Sequence, residues 1–301
     1  MLYPDFNELV QLKTNLKLLS NRLIKSLISG NYFSSFRGHG LEFAEVRQYV
    51  PGDDIRKIDW RVTARTGIPH IKLFTEERER SVLIVMDMNT TMRFGTRGTF
   101  KSVQAARCAS LIGWCANKNM QRVGALLFGD VQNGMEFLRP ARSRRSLWRM
   151  LKLLCQKPDT SNGAIPLDKA IEFANKIITP STIVFVISDF INIDNKLSEQ
   201  LRYMSVHCQV VLLSINDPSD ISINPAGDIL FSSNEMQRLY INTDSVAGRK
   251  LYEKQWTDRS LKLYDMSVNL GIHHISLLTN RDIYFDLFYG LKISANVRRR
   301  R

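Results

Sequence analysis

The sequence predicts an α/β fold in which a mostly parallel sheet is flanked by helices. The first observation is that apolar runs alternate with segments of helical periodicity from residue 80 onward. The second is the character of those runs, since SVLIVMD at residues 81–87 and TIVFVISD at residues 182–189 are almost continuously apolar. Strands that helices cover on both faces have this character, because neither face meets water.

The remaining elements follow from local patterns. Leucines at spacings of three and four predict an amphipathic helix over residues 5–29. Further helices are predicted at 100–117, 143–155, 167–178, 195–206, 246–270 and 282–291. Strands are predicted at 70–74, 81–87, 122–130, 135–140, 182–189, 209–215, 229–231 and 273–278. Ser143 is a candidate N-cap, because its hydroxyl can accept a hydrogen bond from a free amide of the first turn.

Size and composition set bounds on the function. The 301 residues are 44% hydrophobic, so the chain can bury a large core. A net charge of +13 favours an acidic partner, nucleic acid or an anionic membrane surface, although a basic soluble protein is the simpler interpretation. Four cysteines without a CxxC pair indicate a reduced cytoplasmic setting. Neither a signal peptide nor an apolar stretch of about 20 residues is evident, so we expect a cytoplasmic protein.

Nucleotide enzymes are disfavoured by the loop after the first buried strand. Its sequence, DMNTTMRFG, contains neither G-x-G-x-x-G nor G-x-x-x-x-G-K-[ST]. The histidines lie on separate elements and form no ligand set, and no nucleophile with an orienting base is evident. We therefore expect no catalytic residues and no enzymatic activity.

Residues 36–65 carry the most specific pattern of the chain, FRGHGLEFAEVRQYVPGDDIRKIDWRVTAR. Charges of both signs alternate with aromatic residues, and Pro-Gly-Asp predicts a turn. Arginines stand close to Asp53, Asp54 and Asp59, so ion pairs should keep these carboxylates ionised, whereas a general acid needs a raised pKa. We favour a structural network over a partner-docking surface, and both over a catalytic cluster. Trp60 is predicted to be a packed anchor that ties the segment to the α/β domain.

The segment resembles the signature of a bacterial family called domain of unknown function 58. The match consists of Gly38, Gly40, Glu42, Phe43, Arg47, Tyr49, Pro51, Gly52, Asp53, Asp54, Arg56, Ile58, Asp59, Trp60, Ala64 and Arg65. The resemblance implies a von Willebrand factor A-like (Rossmann-like) domain behind an N-terminal helix and the charged signature. The expected divisions are helix and signature at 1–79, the A-like domain at 80–291 and a basic tail at 292–301.

A von Willebrand factor A-like domain implies a metal-ion-dependent adhesion site. One loop of such a site carries D-x-S-x-S, and two further loops supply a Thr and an Asp. Oxygen ligands of this kind suit Mg²⁺. In this chain the second loop lacks the expected hydroxyl, although Thr160 or Ser161 could supply one, so the site is degenerate. The candidate ligands are Asp87, Asn89, Thr91 and Asp189.

The alternative is that Asp87 and Asp189 accept hydrogen bonds from loop amides without any metal. Both acids end a predicted buried strand, and ligands of open α/β sheets bind beyond the carboxyl ends of the strands. With either interpretation, this end of the sheet is a candidate site.

The resemblance also implies a function. Relatives are associated with MoxR-type AAA+ ATPases, which implies a non-enzymatic adaptor in the assembly or maturation of target proteins. The alternative is a peripheral membrane-surface scaffold that uses the basic N-terminal helix.

Arginines at 139–149 could contact phosphates, but no nucleic-acid-binding motif accompanies them, so we expect no specific nucleic acid. A hydrolase would need a base and a nucleophile at the end of the sheet. The residues expected either to brace the signature segment or to dock the partner are Glu42, Phe43, Arg47, Tyr49, Pro51, Gly52, Asp53, Asp54, Arg56, Asp59, Trp60 and Arg65.

Overall fold

The chain divides into two compact units. One is formed by residues 31–79, and the other by residues 1–30 together with residues 80–301. The computed structural model describes residues 3–15, 41–76, 81–161, 163–180, 182–234 and 237–298.

The smaller unit is a two-stranded antiparallel sheet with a short helical connection. Strand β1 (Leu41–Gln48) pairs with β2 (His70–Glu76), and helix α2 (Trp60–Thr66) lies between them in sequence. Strand β2 was predicted and is confirmed, whereas β1 was not predicted. The register shifts between Phe43 and Glu45, and this bulge breaks the two-residue alternation by which a strand is recognised.

The larger unit is built around a six-stranded sheet. Its strands stand in the order β10–β7–β6–β3–β4–β5, and only β5 runs antiparallel to its neighbour. This sheet confirms the predicted α/β class, a mostly parallel sheet flanked by helices. The strands are β3 (Ser81–Asp87), β4 (Arg122–Phe128), β5 (Met135–Ala141), β6 (Ile183–Ser188), β7 (Gln209–Asn216) and β10 (His273–Leu278).

Helices cover both faces of this sheet, because successive strand residues point to opposite sides and both sides are apolar. Along β3, for example, Ile84 packs into one core and Val85 into the other. On the first face lie α1 (Phe6–Asn15), α3 (Lys101–Lys118), α4 (Arg144–Leu154) and α9 (Ile283–Arg298). On the second lie α5 (Leu167–Ile177), α6 (Asn195–His207) and α8 (Val246–Asn269).

The N-terminal helix belongs to this larger unit and not to the signature segment with which it was grouped. Leu9 of α1 is fully buried, and its carbonyl oxygen accepts hydrogen bonds from Ser110 Oγ at 2.8 Å and Trp114 Nε1 at 3.0 Å. Glu8 pairs with Arg107 of α3 at 2.6 Å. Over residues 6–15 the apolar side of α1 therefore packs against α3 and is not available to contact a membrane. The rest of the predicted helix, residues 16–29, lies outside the described residues.

Three further elements differ from the predicted ones. A hairpin of β8 (Asp228–Asn234) and β9 (Gln237–Asn242) forms its own small sheet where only one strand was expected. A four-residue helix, α7 (Pro218–Ile221), was not predicted. Helix α9 continues to Arg298 into the predicted tail, since no Gly or Pro interrupts it after residue 291. The predicted N-cap is confirmed, because Ser143 Oγ accepts from the Ser146 amide at 3.0 Å.

Among the helices that the structure describes, none has both the length and the apolar character that crossing a bilayer demands.

The packing of α1 gives a first prediction. Replacing Leu9 by Ala should lower the free energy of unfolding by roughly 2–5 kcal/mol, because a fully buried leucine leaves a cavity. Urea denaturation of the whole chain measures the effect. Gln11→Ala, an exposed position of the same helix, is the control and should change stability by less than about 0.5 kcal/mol. Equal stability of the two variants would show that α1 does not contribute to the core.

Candidate functional site

Four aspartates line the carboxyl end of the large sheet, and together they are called the strand-end cluster. Asp87 ends β3, and Asp130, Asp189 and Asp217 follow β4, β6 and β7. All four are buried, and their strands are neighbours in the sheet. Sequence reasoning identified only Asp87 and Asp189. Asp130 and Asp217 carry the same signal, an acid just behind an apolar strand, and were missed.

Both carboxylate oxygens of Asp87 accept hydrogen bonds. Oδ1 accepts from the backbone amide of Asn89 at 2.9 Å and from its Nδ2 at 2.8 Å, and Oδ2 accepts from Ser188 Oγ at 2.7 Å. Burial and then the nearby charge of Asp189 raise the pKa of Asp87 from 3.8 to about 7. The folded protein therefore takes up a proton on this carboxyl at a higher pH than the unfolded chain does.

Asn89 joins the loop after β3 to the loop before α5. Its Nδ2 donates to the carbonyl of Ile165 at 2.9 Å, and its Oδ1 accepts from the Ile165 amide at 3.0 Å. Gly129, with φ of 104°, lies beside this contact, and a Cβ at that position would stand 2.6 Å from Asn89 Oδ1. Glycine is required there both for its backbone angle and for this close approach.

Asp130 and Asp217 are satisfied by different kinds of donor. Asp130 accepts from Thr90 Oγ1 at 2.8 Å and pairs with Arg93 at 2.6 Å. Asp217 accepts from Thr279 Oγ1 at 2.6 Å and from the Thr96 amide at 3.0 Å. Burial alone would raise the pKa of Asp217, but these hydrogen bonds outweigh it and lower the pKa below its usual value.

Asp189 faces a buried lysine. The Nζ atom of Lys101 lies 3.4 Å from Asp189 Oδ2 and 2.9 Å from Asp220 Oδ2. Lys101 is the first residue of α3 and is only 2% exposed. The residue after Asp189, Phe190, is buried with φ of 49°, a backbone conformation that is strained for a bulky residue. Sequence reasoning missed Lys101, because a lysine at the start of a helix normally reaches solvent.

As they are arranged, the predicted metal ligands do not fit a divalent cation. The oxygens of Asp87 and the amide oxygen of Asn89 already accept hydrogen bonds, Asp189 faces an ammonium group, and Thr91 is exposed. The hydroxyl of Ser161, considered as a substitute, bonds Asp159 at 2.6 Å. Within the described ranges no group of three or more His, Cys, Asp or Glu residues could hold a metal. Binding of Mg²⁺ here stays a prediction.

In the smaller unit, the signature charges brace a turn. Arg47 forms two hydrogen bonds with Asp53, at 2.8 and 2.7 Å, and Asp53 also accepts from the Val50 amide at 2.9 Å. The Arg47 guanidinium is the largest cause that holds the pKa of Asp53 below its usual value. Gly52, with φ of 107°, makes the turn between them. Asp53 is thus held ionised, as the structural interpretation of the signature predicts.

The other two signature acids cap short helical segments. Asp54 Oδ1 accepts from the Arg56 amide at 3.1 Å, and Asp59 Oδ1 accepts from the Arg61 amide at 3.0 Å at the start of α2. Asp59 also pairs with Lys72 of β2 at 3.5 Å, a partner that was not predicted. The three acids therefore serve three separate local contacts and do not converge as a catalytic cluster would.

Trp60 does not pack as a core residue of the smaller unit, because its side chain is 68% exposed. That it ties the segment to the α/β domain stays a prediction. It begins α2 directly after its cap Asp59, which fixes the backbone and leaves the indole in solvent. Three more apolar side chains of this unit are exposed by about half or more. With Trp60 they form what is called the signature apolar set, Val50, Ile55, Trp60 and Ile68.

Comparison with known proteins identifies the family. Residues 45–262 match the family described as "Protein of unknown function DUF58". The chain belongs to the DUF58 family. Uncharacterized protein Rv1480 of Mycobacterium tuberculosis is 30% identical over 223 residues, which are 73% of this chain and 69% of that protein. Uncharacterized protein Mb1516 of Mycobacterium bovis matches to the same extent, at 30% identity over 223 residues.

Solved structures resemble this DUF58 chain only distantly. The conserved hypothetical protein BatB from Bacteroides thetaiotaomicron has a TM-score of 0.44 and 15% identity, over 73% of this chain and all (100%) of that one. An aerotolerance-related membrane protein from Bacteroides fragilis has a TM-score of 0.44 and 16% identity, with the same coverage of 73% and 100%. The SpRpn10 VWA domain has a TM-score of 0.40 and 13% identity, over 69% of this chain and 93% of that one. The fold class is therefore assigned from the strand order and the helices on both faces of the sheet, and not from these distant structures.

The raised pKa of Asp87 gives a second prediction. The folded protein takes up a proton as pH falls through about 7, whereas the unfolded carboxyl does so near 3.8. The free energy of unfolding should therefore rise, by about 1 kcal/mol, as pH falls from about 8 to about 6. Asp87→Asn should remove this rise in urea denaturation.

The control is Asp217→Asn, because the pKa of Asp217 is lowered and its contribution is lost only in more acidic solution. This variant should keep the wild-type rise between about pH 8 and about pH 6. A rise that persists unchanged in Asp87→Asn would show that Asp87 is ionised throughout this range.

Proposed function

We propose that this DUF58 protein is a non-enzymatic adaptor that binds a partner protein through the signature apolar set. The observation that carries the proposal is the exposure of Trp60, at 68%, within a segment braced by its own ion pairs. Tryptophan and arginine are the residues most enriched at the energetic centres of protein interfaces. All four exposed apolar side chains lie within residues 50–68, so this one segment offers the apolar area that a partner could bury.

The brace around these side chains supports the same function. The Arg47–Asp53 pair fixes the turn at residues 50–53, and the Asp59 cap fixes the start of α2. Side chains on a backbone that is already ordered lose less conformational entropy when a partner binds. The signature charges thus prepare the apolar set for contact, which combines the structural and the docking interpretations.

The chemistry of the larger unit is consistent with a protein that is not an enzyme. Burial raises the pKa of the Cys115 thiol to about 12 and that of Cys155 to about 11, so neither is a ready nucleophile. Burial lowers the pKa of His274 to about 4, and its Nε2 lies 2.9 Å from Ser214 Oγ. Ser214 stands on β7 and His274 on β10, and the lowered pKa keeps this half-buried histidine neutral near pH 7.

The partner we propose is a MoxR-type AAA+ ATPase, and the process is the assembly or maturation of target proteins. This choice comes from the family resemblance, and the signature apolar set supplies the surface. With this partner we propose a cytoplasmic location, and association with a membrane is the alternative. Contact with a membrane is not required for this function.

Affinity for the purified ATPase of the same organism tests the proposal. Trp60→Ala should weaken binding by about tenfold or more, as loss of an interface centre does. The matched control is Tyr203→Ala, which removes an aromatic side chain that is 57% exposed in the larger unit. Circular dichroism checks that both variants are folded. Equal affinities for wild type and Trp60→Ala would contradict the role of the signature apolar set, and no affinity in wild type would contradict the choice of partner.

A further inference from the structure

A buried ammonium group joins three elements at the carboxyl end of the sheet. The side chain of Lys101, 3% exposed, lies between Asp189 behind β6 and Asp220 in α7, whose side chains are 5% and 18% exposed. Asp220 Oδ2 also accepts from the Asp217 amide at 2.8 Å, which extends the network to the end of β7. One positive charge thus ties the starts of α3 and α7 to the ends of two strands.

The local structure holds Lys101 in this position. Its backbone amide donates to the Phe94 carbonyl at 2.8 Å, and its Nζ lies 5.6 Å from the centroid of the Phe94 ring. A cation over an aromatic face is stabilised by the ring. A charge this deeply buried persists only where opposite charges and hydrogen bonds compensate for the lost water.

Asp189 is the acid that the family resemblance assigns to a divalent cation, and here it already has a cation. The second acid of that assignment, Asp87, has both oxygens occupied by Asn89 and Ser188. A metal ion beside Asp189 would also meet the repulsion of the nearby ammonium group, which burial makes stronger.

We infer that the Lys101 ammonium takes the place of the divalent cation at this site, so that Asp189 and Asp220 are paired and tethered without metal. Lys101 acts as a positioning residue, because it holds Asp189 and Asp220. The inference concerns the larger unit alone and does not depend on the function proposed for the signature apolar set.

A titration with Mn²⁺ tests directly whether a divalent cation binds at this site. Bound Mn²⁺ is measured as the loss of the free-ion signal in electron paramagnetic resonance. The full-length wild type and Asp189→Asn should leave the same amount of free Mn²⁺ at every concentration. Loss of signal with wild type that Asp189→Asn or Asp87→Asn abolishes would overturn the inference. Because wild type is one of the two proteins compared, the test does not depend on the folding of a lysine variant.

Thermal unfolding tests whether the Lys101 ammonium group stabilises the carboxyl end of the sheet. Lys101→Met keeps most of the length of the side chain and removes its charge. It should lower the Tm by at least about 4 °C, because the buried carboxylate of Asp189 and the half-buried one of Asp220 lose their partner. The double variant Lys101→Met with Asp189→Asn should melt above Lys101→Met alone, since the unpaired acid is also removed. Lys118→Met, at the exposed end of the same helix, is the control and should melt with wild type. A Lys101→Met variant that melts with wild type would overturn the inference.

Discussion

The need for a hydrogen-bond or ion-pair donor to each carboxylate buried at the carboxyl end of the sheet is the constraint on which the larger unit depends. Four parallel strands each end in or just before a buried aspartate at this end of the sheet. Each aspartate needs a hydrogen-bond or ion-pair donor from elsewhere in the fold. The donors come from elements that are distant in sequence: Ser188 for Asp87, Arg93 for Asp130, Lys101 for Asp189 and Thr279 for Asp217. The loops at this end are therefore held by polar contacts, while the cores on the two faces hold the helices.

The smaller unit uses charge for a different purpose. Its ion pairs lie near the surface, where solvent screens them and each adds little to stability. Their effect is geometric, since the Arg47–Asp53 pair and the Asp59 cap fix the turn and the helix that carry Val50 and Trp60. A segment rich in charge thereby holds exposed apolar side chains on an ordered backbone.

The fold was predictable because strands buried on both faces give continuous apolar runs, and β3 and β10 were located to the residue. Strand β1 was not predictable, because its bulge disrupts the alternation. At the site, the sequence indicated Asp87 and Asp189, yet it could not show that Lys101, placed 88 residues before Asp189, turns inward to meet it. The exposure of Trp60 was missed for a related reason, since a tryptophan in a sequence says nothing of whether packing partners exist around it.

The central claim is that this DUF58 protein contacts its partner through the signature apolar set. Hydrogen–deuterium exchange on the complex with the MoxR-type ATPase, compared with the free protein, tests it most directly. The account predicts slower exchange over residues 50–68 and unchanged exchange in the loops after β3 and β6. Slower exchange confined to those two loops would contradict the account and place the interface at the carboxyl end of the sheet.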